Sequence, residues 1–214
     1  RLHVVPHEPS YQVKKSMYIQ SNKNYVINKD SYIFYPAQFW AHKNHTYIID
    51  GINCLEQKYG YKLKVIFTGS DKGNLNYIKN YVRRKNLIER VSFLGFVSNE
   101  EIIKLYQNAL ALVMPSYFGP TNIPPLEAFS LKVPVIYSDI DGLRDQVKDA
   151  ALLIDLKNEN SLAEQLNRLI TEDNLRAKLI TAGIKRLEEI NAIDRAIIME
   201  RILKEFYRKN LTFN

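Results

Sequence analysis

The chain has 214 residues, a formal net charge of +7, 46% hydrophobic and 25% charged residues. That is the composition of an ordinary soluble globular protein of one large or two small domains; no apolar run approaches the ~20 residues that a membrane span needs. The single cysteine, Cys54, cannot close an internal disulfide, which fits a reducing, cytoplasmic compartment; in its apolar helical pattern it reads as a buried structural thiol.

Residues 1–30 are polar and weakly periodic, and read as a linker or the tail of a missing domain. The opening "RLHVVPHEPSYQ" lacks both the apolar core of a secretion signal and an initiator Met, the expectation for a piece of a longer protein. Strands and helices then alternate. The predicted strands are 31–37, 62–69, 90–96, 110–116, 133–138 and 150–155. Between them fall helices at 44–60, 75–87, 98–109 and 125–131. Gly60 is a stop for the first helix, and Ser98 with Glu101 forms a capping box for the third. Beyond 155 only helices follow, over 159–171, 173–190 and 192–209. Continuous rather than alternating apolar runs predict a doubly wound, Rossmann-like parallel sheet with both faces covered. Such sheets bind ligands beyond the carboxyl ends of their strands, where the strand order reverses.

Several chemistries are unsupported. "FTGSDKGN" (67–74) lacks the G-x-G-x-x-G spacing, and neither a G-K-[ST] phosphate loop nor a G-x-S-x-G elbow occurs. His42 and His45 have no third ligand nearby, so no metal is expected. The lysines are scattered, as on solvated helix faces. "VRRKN" (82–86), the one dense basic cluster, has no interleaved aromatics, so nucleic acid is not an expected partner. The remaining anionic partners are nucleotide phosphates and acidic lipid headgroups.

Three strand-end loops carry the candidate chemistry. "PAQFWAHKNH" (36–45) offers Gln38, Lys43 and a helix start. "LGFVSNEE" (94–101) offers backbone for a flat base. "SYFGPTNIPPLEAFS" (116–130) runs through turn residues into a helix opened by Pro124 and Pro125, with Glu127 in its first turn. An ammonium, a helix N-terminus and a carboxylate able to accept two hydroxyls suit a nucleoside diphosphate and its ribose. Alone, Lys43 reads as an exposed lysine and Glu127 as a residue favoured by the helix dipole; together they predict a site.

The run "PSYFGPTNIPPLEAFSLKVPVIYSDIDGLRDQVKDAALLID" (115–155) resembles the donor-binding signature of the group 1 (family 4) glycosyltransferases. These are retaining enzymes of the two-Rossmann GT-B architecture. "RVSFLGFVSNEEIIKLYQNALALVMPS" and "SLAEQLNRLITEDNLRAKLITAGIKRL" extend the resemblance over roughly 31–190. It implies that the chain is the C-terminal, nucleotide-sugar-binding half, without its N-terminal acceptor half. Residues 1–30 are then a linker or remnant, 31–190 the donor domain and 191–214 a C-terminal helix. The implied reaction transfers a sugar from a nucleoside diphosphate to a glycan or lipid-linked acceptor in polysaccharide or lipopolysaccharide synthesis. No cofactor or metal is implied, and the protein would be peripheral at an anionic membrane surface.

Residue by residue, the resemblance makes Lys43 and Glu127 the catalytic pair, on the diphosphate and the ribose. The family's arginine falls on Gln38 and its first loop glutamate on Gly119, with Thr121 or Asn122 as partial replacements. Phe96 and Val97 match the base-contacting segment. Asn122, Ile123 and Pro124 match the backbone facing sugar and phosphate, and Gly69 and Leu126 complete the expected site. The alternative is a non-catalytic nucleotide-binding or interaction domain. The apolar stripe Ile193, Ala196, Ile197, Met199, Ile202, Leu203 and Phe206 fits packing either on its own domain or on the other half.

Overall fold

The computed structural model describes residues 5, 7, 9, 28, 30–119 and 122–211. Most of the expected linker, and Thr121, lie outside them. Six strands, β1 (Tyr32–Pro36), β2 (Lys64–Thr68), β3 (Val91–Phe93), β4 (Leu112–Met114), β5 (Val135–Ser138) and β6 (Ala151–Ile154), form one sheet. All neighbours pair in parallel, in the order β3-β2-β1-β4-β5-β6. Successive residues of a strand face opposite sides of a sheet. Ile33, Phe34 and Tyr35 are consecutive and all fully buried, so both faces are covered. The continuous apolar runs predicted this layering.

The helices are α1 (His45–Tyr59), α2 (Leu75–Arg84), α3 (Asn99–Asn108), α4 (Pro124–Ser130), α5 (Leu143–Val147), α6 (Glu159–Thr171), α7 (Leu175–Asn191) and α8 (Arg195–Leu211). α1 stops at Gly60, whose N–H bonds the Glu56 carbonyl at 2.9 Å. α3 starts with the predicted capping box, in which Ser98 and Glu101 satisfy each other's backbone N–H groups. α5, of five residues, was not predicted; it is too short to display a 3.6-residue period. Two strands are shorter than their apolar runs. β3 ends before the Leu94–Gly95 turn and β4 before Pro115, so the rest of each run is loop bending over the sheet edge.

The chain runs β1, β2, β3 toward one edge; α3 then returns it to the other side of β1, and β4, β5, β6 run outward. The strand order therefore reverses between β1 and β4, and their carboxyl-end loops diverge there into a crevice. Cys54 is only half-buried, with its S–H donating to the Asn160 amide oxygen at 2.9 Å; α1 and α6 pack together at this point. The 82–86 cluster is spent on neighbours: Lys85 pairs with Asp50 at 2.7 Å and the Arg84 guanidinium lies over Tyr81. Among the described residues no helix is long and apolar enough to cross a membrane.

Candidate functional site

The three loops that the sequence singles out meet at the strand ends, stitched by backbone hydrogen bonds. The Ala37 N–H donates to the Thr68 carbonyl (3.0 Å), Phe39 to Ser70 (3.0 Å) and Gly69 to Gly95 (2.7 Å). Across the crevice the Tyr117 N–H donates to the His42 carbonyl at 3.0 Å. Gly69 has φ +134°, and a Cβ there would lie 2.4 Å from the Ala37 carbonyl oxygen. Only glycine fits so close a backbone crossing.

Past β1, β2 and β3 lies a slot of about 260 Å³ lined by Gln38, Gly69, Gly95, Phe96, Val97 and their neighbours. It unites four residues expected from the sequence: Gln38, Gly69, Phe96 and Val97. Phe96 is 89% exposed, a flat apolar face open to solvent. The Gln38 amide is oriented: its oxygen accepts from the Trp40 indole N–H at 3.0 Å, leaving the NH₂ end as the donor.

Lys43 closes a 3₁₀ turn (Ala41–Lys43), and Asn44, in the left-handed conformation, hands the chain to α1, whose start has no side-chain cap. The Lys43 ammonium is half-buried and, among the described residues, has no acidic partner. Burial lowers its pKa from the ordinary lysine value. Beneath it His45 is 1% exposed. It is caged by Tyr35, Phe39 and Phe67, with ring centroids 4.8–5.0 Å away. Neither ring nitrogen has a hydrogen-bonding partner among the described residues. Burial brings the imidazole down to about 4; the Ala37 backbone opposes this and the Lys43 charge assists. His45 is thus the neutral floor of the site. Trp40 and Phe118 both lie against the His42 ring, joining the first and third loops.

In the third loop Glu127 is half-buried, and one of its oxygens accepts the Tyr106 hydroxyl at 3.0 Å. Tyr106, on α3, is fully buried, and burial first, then the Glu127 charge, raises its pKa well above the usual phenol value; it remains a donor and aims the carboxylate. Gly119 has φ +153°, and a Cβ there would lie 2.3 Å from the Asn122 amide oxygen. The loop as folded has no room for the family's first glutamate. The buried Asn122 amide donates to the Gly119 carbonyl (3.1 Å) and to the Tyr137 hydroxyl. Gln146 completes the knot, donating to the Asn122 carbonyl (2.6 Å) and accepting from Tyr137 (3.1 Å). The NH₂ of Asn122 is thus spent on loop shape, which corrects the expectation that its side chain replaces the missing carboxylate.

Two further expectations change. The free N–H groups expected at the start of α4 are absent: Pro124 and Pro125 have none, and those of Leu126 and Glu127 both donate to the Ile123 carbonyl (2.9 and 3.1 Å). The donors left there belong to Asn122 and Ile123, ahead of the helix. Leu126 is a core residue, 1% exposed. Neither Lys43 nor Glu127 lines the slot itself. Lys43 stands on the β1–α1 connection and Glu127 in the first turn of α4, on the two sides of the strand-order reversal. Sequence reasoning missed Tyr106, Tyr137 and Gln146, which orient the site's groups from other elements, and Trp40, which orients Gln38 from two residues along the same loop. A long-range contact leaves no local pattern, and only the short Trp40–Gln38 spacing offered a signal.

The family model described as "Glycosyl transferases group 1" matches residues 19–186. The O-antigen chain mannosyltransferase RfbU of Salmonella typhimurium is 32% identical over 150 residues, 70% of this chain and 40% of that protein. An uncharacterized glycosyltransferase of Methanocaldococcus jannaschii, MJ1607, is 25% identical over 77% of this chain and 42% of its own length. The chain thus spans about two fifths of these curated relatives. Among solved structures, a TarM mutant of S. aureus in complex with Fondaparinux, alpha-GlcNAc-glycerol and UDP superposes with a TM-score of 0.70 at 20% identity, over 87% of this chain and 37% of that one. Anabaena Alr3699/HepE in complex with UDP gives 0.67 at 19%, over 84% and 49%.

Proposed function

Since the chain belongs to the group 1 glycosyl transferases, we propose that it is the donor-binding half of a retaining glycosyltransferase. The whole protein moves a sugar from a nucleoside diphosphate to a glycan or lipid-linked acceptor hydroxyl, in polysaccharide or lipopolysaccharide synthesis. The observation that carries this reading is Lys43, a half-buried ammonium with no acidic partner among the described residues, beside an uncapped helix start at the strand-order reversal. A desolvated cation held without a counter-ion is costly unless an anion completes it.

In this reading the base lies against Phe96 and Val97, and its ribose hydroxyls are taken by the free oxygen of Glu127. The diphosphate meets Lys43, the Gln38 NH₂ and the N–H groups of His45 and Thr46 at the start of α1, that of Tyr47 being held by the Asn44 carbonyl at 3.2 Å. As the bond from the anomeric carbon to the diphosphate oxygen breaks, negative charge builds on the leaving group. Lys43 and the α1 dipole are already oriented to receive it, so they stabilise the transition state more than the ground state. No metal ion is required. The acceptor proton passes to the departing phosphate on the same face, which gives retention. The other half of the protein supplies the acceptor, and the anionic membrane surface is where a lipid-linked acceptor resides.

Calorimetry tests it. Uridine, guanosine, adenosine and thymidine diphosphates are screened, and the best binder is titrated into Glu127→Gln. Glutamine still accepts the Tyr106 hydroxyl, so the fold survives, but it accepts ribose hydroxyls less strongly than a carboxylate. Affinity falls about tenfold. An unchanged affinity, or no binding of any diphosphate by the unaltered chain, overturns the proposal.

A further inference from the structure

A second cavity, of about 530 Å³, opens between the start of α1, the β6–α6 loop and Tyr117, within the ~300–1,000 Å³ range of small-molecule pockets. We propose that it is a saccharide-binding site, taking a pyranose ring of a glycan and not the nucleotide-linked sugar. This goes beyond the donor reading and can fail without it.

The cavity wall is fixed in advance. The Tyr47 hydroxyl lies 2.8 and 2.9 Å from the carbonyls of Asp155 and Asn158, tying the β6–α6 loop to α1. The Asn158 amide oxygen accepts the Asn160 N–H at 3.0 Å, and the Asn160 amide oxygen accepts the Cys54 S–H at 2.9 Å. Both amides are therefore oriented with their NH₂ groups left over. Asn44, also on the lining, is only 9% exposed and its NH₂ is enclosed by the fold, so it shapes the wall and is not a donor to the cavity.

Tyr117 adds the second half of the chemistry. The residue is 54% exposed, while its backbone N–H is held by the His42 carbonyl. A pyranose has one face of C–H groups, which stacks on an aromatic ring, and an edge of vicinal hydroxyls, which pairs with planar amides and carboxylates. The cavity offers the ring and the two oriented amide donors of Asn158 and Asn160. A nucleoside would need the base slot, which is lined by none of these residues.

Saturation-transfer NMR on the chain with a panel of neutral α- and β-linked hexose disaccharides, with and without excess UDP, tests the assignment. At least one disaccharide receives saturation, strongest on the C–H face of one ring, and UDP does not displace it. Tyr117→Ala, which keeps the backbone bond and removes an exposed ring, weakens that disaccharide about tenfold, whereas Tyr117→Phe keeps it. Absence of transfer to every disaccharide, equal transfer in Tyr117→Ala, or displacement by UDP overturns the proposal. A chain that binds UDP but no disaccharide loses only this site; one that binds a disaccharide but no diphosphate loses only the donor reading.

Discussion

At Lys43 the ammonium sits where burial already disfavours its charge, so its replacement affects binding more than folding. Lys43→Met removes a charge-assisted contact of about 1.5–3 kcal/mol, and calorimetry should show at least a tenfold loss of diphosphate affinity with little change in melting temperature. The salt dependence of binding should flatten with it, since the lost term is electrostatic. His45 makes a different prediction. Its folded pKa, about 4, lies below the 6.5 of an exposed histidine. Above pH 6.5 the ring is neutral in both folded and unfolded chains. Between 6.5 and about 4 the unfolded chain binds a proton that the folded one refuses, so stability falls as pH falls through that window, by about 3 kcal/mol in all. His45→Phe keeps the aromatic cage filled and should flatten the contribution; urea midpoints at pH 7, 5.5 and 4.5 for the two proteins measure it. Lys43 and Glu127 could be singled out from the sequence as candidates because loop lysines and first-turn glutamates have local meaning. The caged His45 was not, because its neighbours come from β1, β2 and the loop between β1 and α1.

Among the elements, α3 links sequence-level capping to the site. Its N-terminus is closed by Ser98 and Glu101, and its last turns place Tyr106 under Glu127. Ser98→Ala should cost about 1 kcal/mol of stability, read as a lowered urea midpoint, and hydrogen exchange should quicken first along α3. Because Tyr106 rides on that helix, the same variant should weaken diphosphate binding slightly while leaving the slot residues unmoved. The capping box was predictable because it needs two residues at fixed spacing. By contrast, the donor poverty of α4 follows from an unanticipated combination. Two prolines remove their own N–H groups, and the next two N–H groups turn back on the Ile123 carbonyl. In the proposed donor reading, the anion-binding duty expected at two helix starts would therefore fall on α1.

For the molecule as a whole, α8 leaves a sequence of apolar side chains in water. Ile197, Leu203 and Phe206 are each at least 60% exposed, and Met199 and Tyr207 stand beside them. Of the two readings that the sequence left open, packing on its own domain therefore fails for these residues. A stripe of this kind is costly uncovered, and the isolated chain should self-associate through it. Leu203→Glu with Phe206→Glu should shift the chain toward monomer in sedimentation without lowering its melting temperature. The order of strands and helices, the parallel layering, the capping box and the family itself were decided by sequence alone, since each rests on local periodicity or on residues at fixed spacing. Tertiary structure alone decided which groups are free to act. It spent the NH₂ of Asn122 on the loop, aimed Glu127 with Tyr106 and left Lys43 without an acidic partner among the described residues. Hydrogen-bond partners from distant strands and helices are chosen by the packing of the whole sheet, and no stretch of chain carries that information by itself.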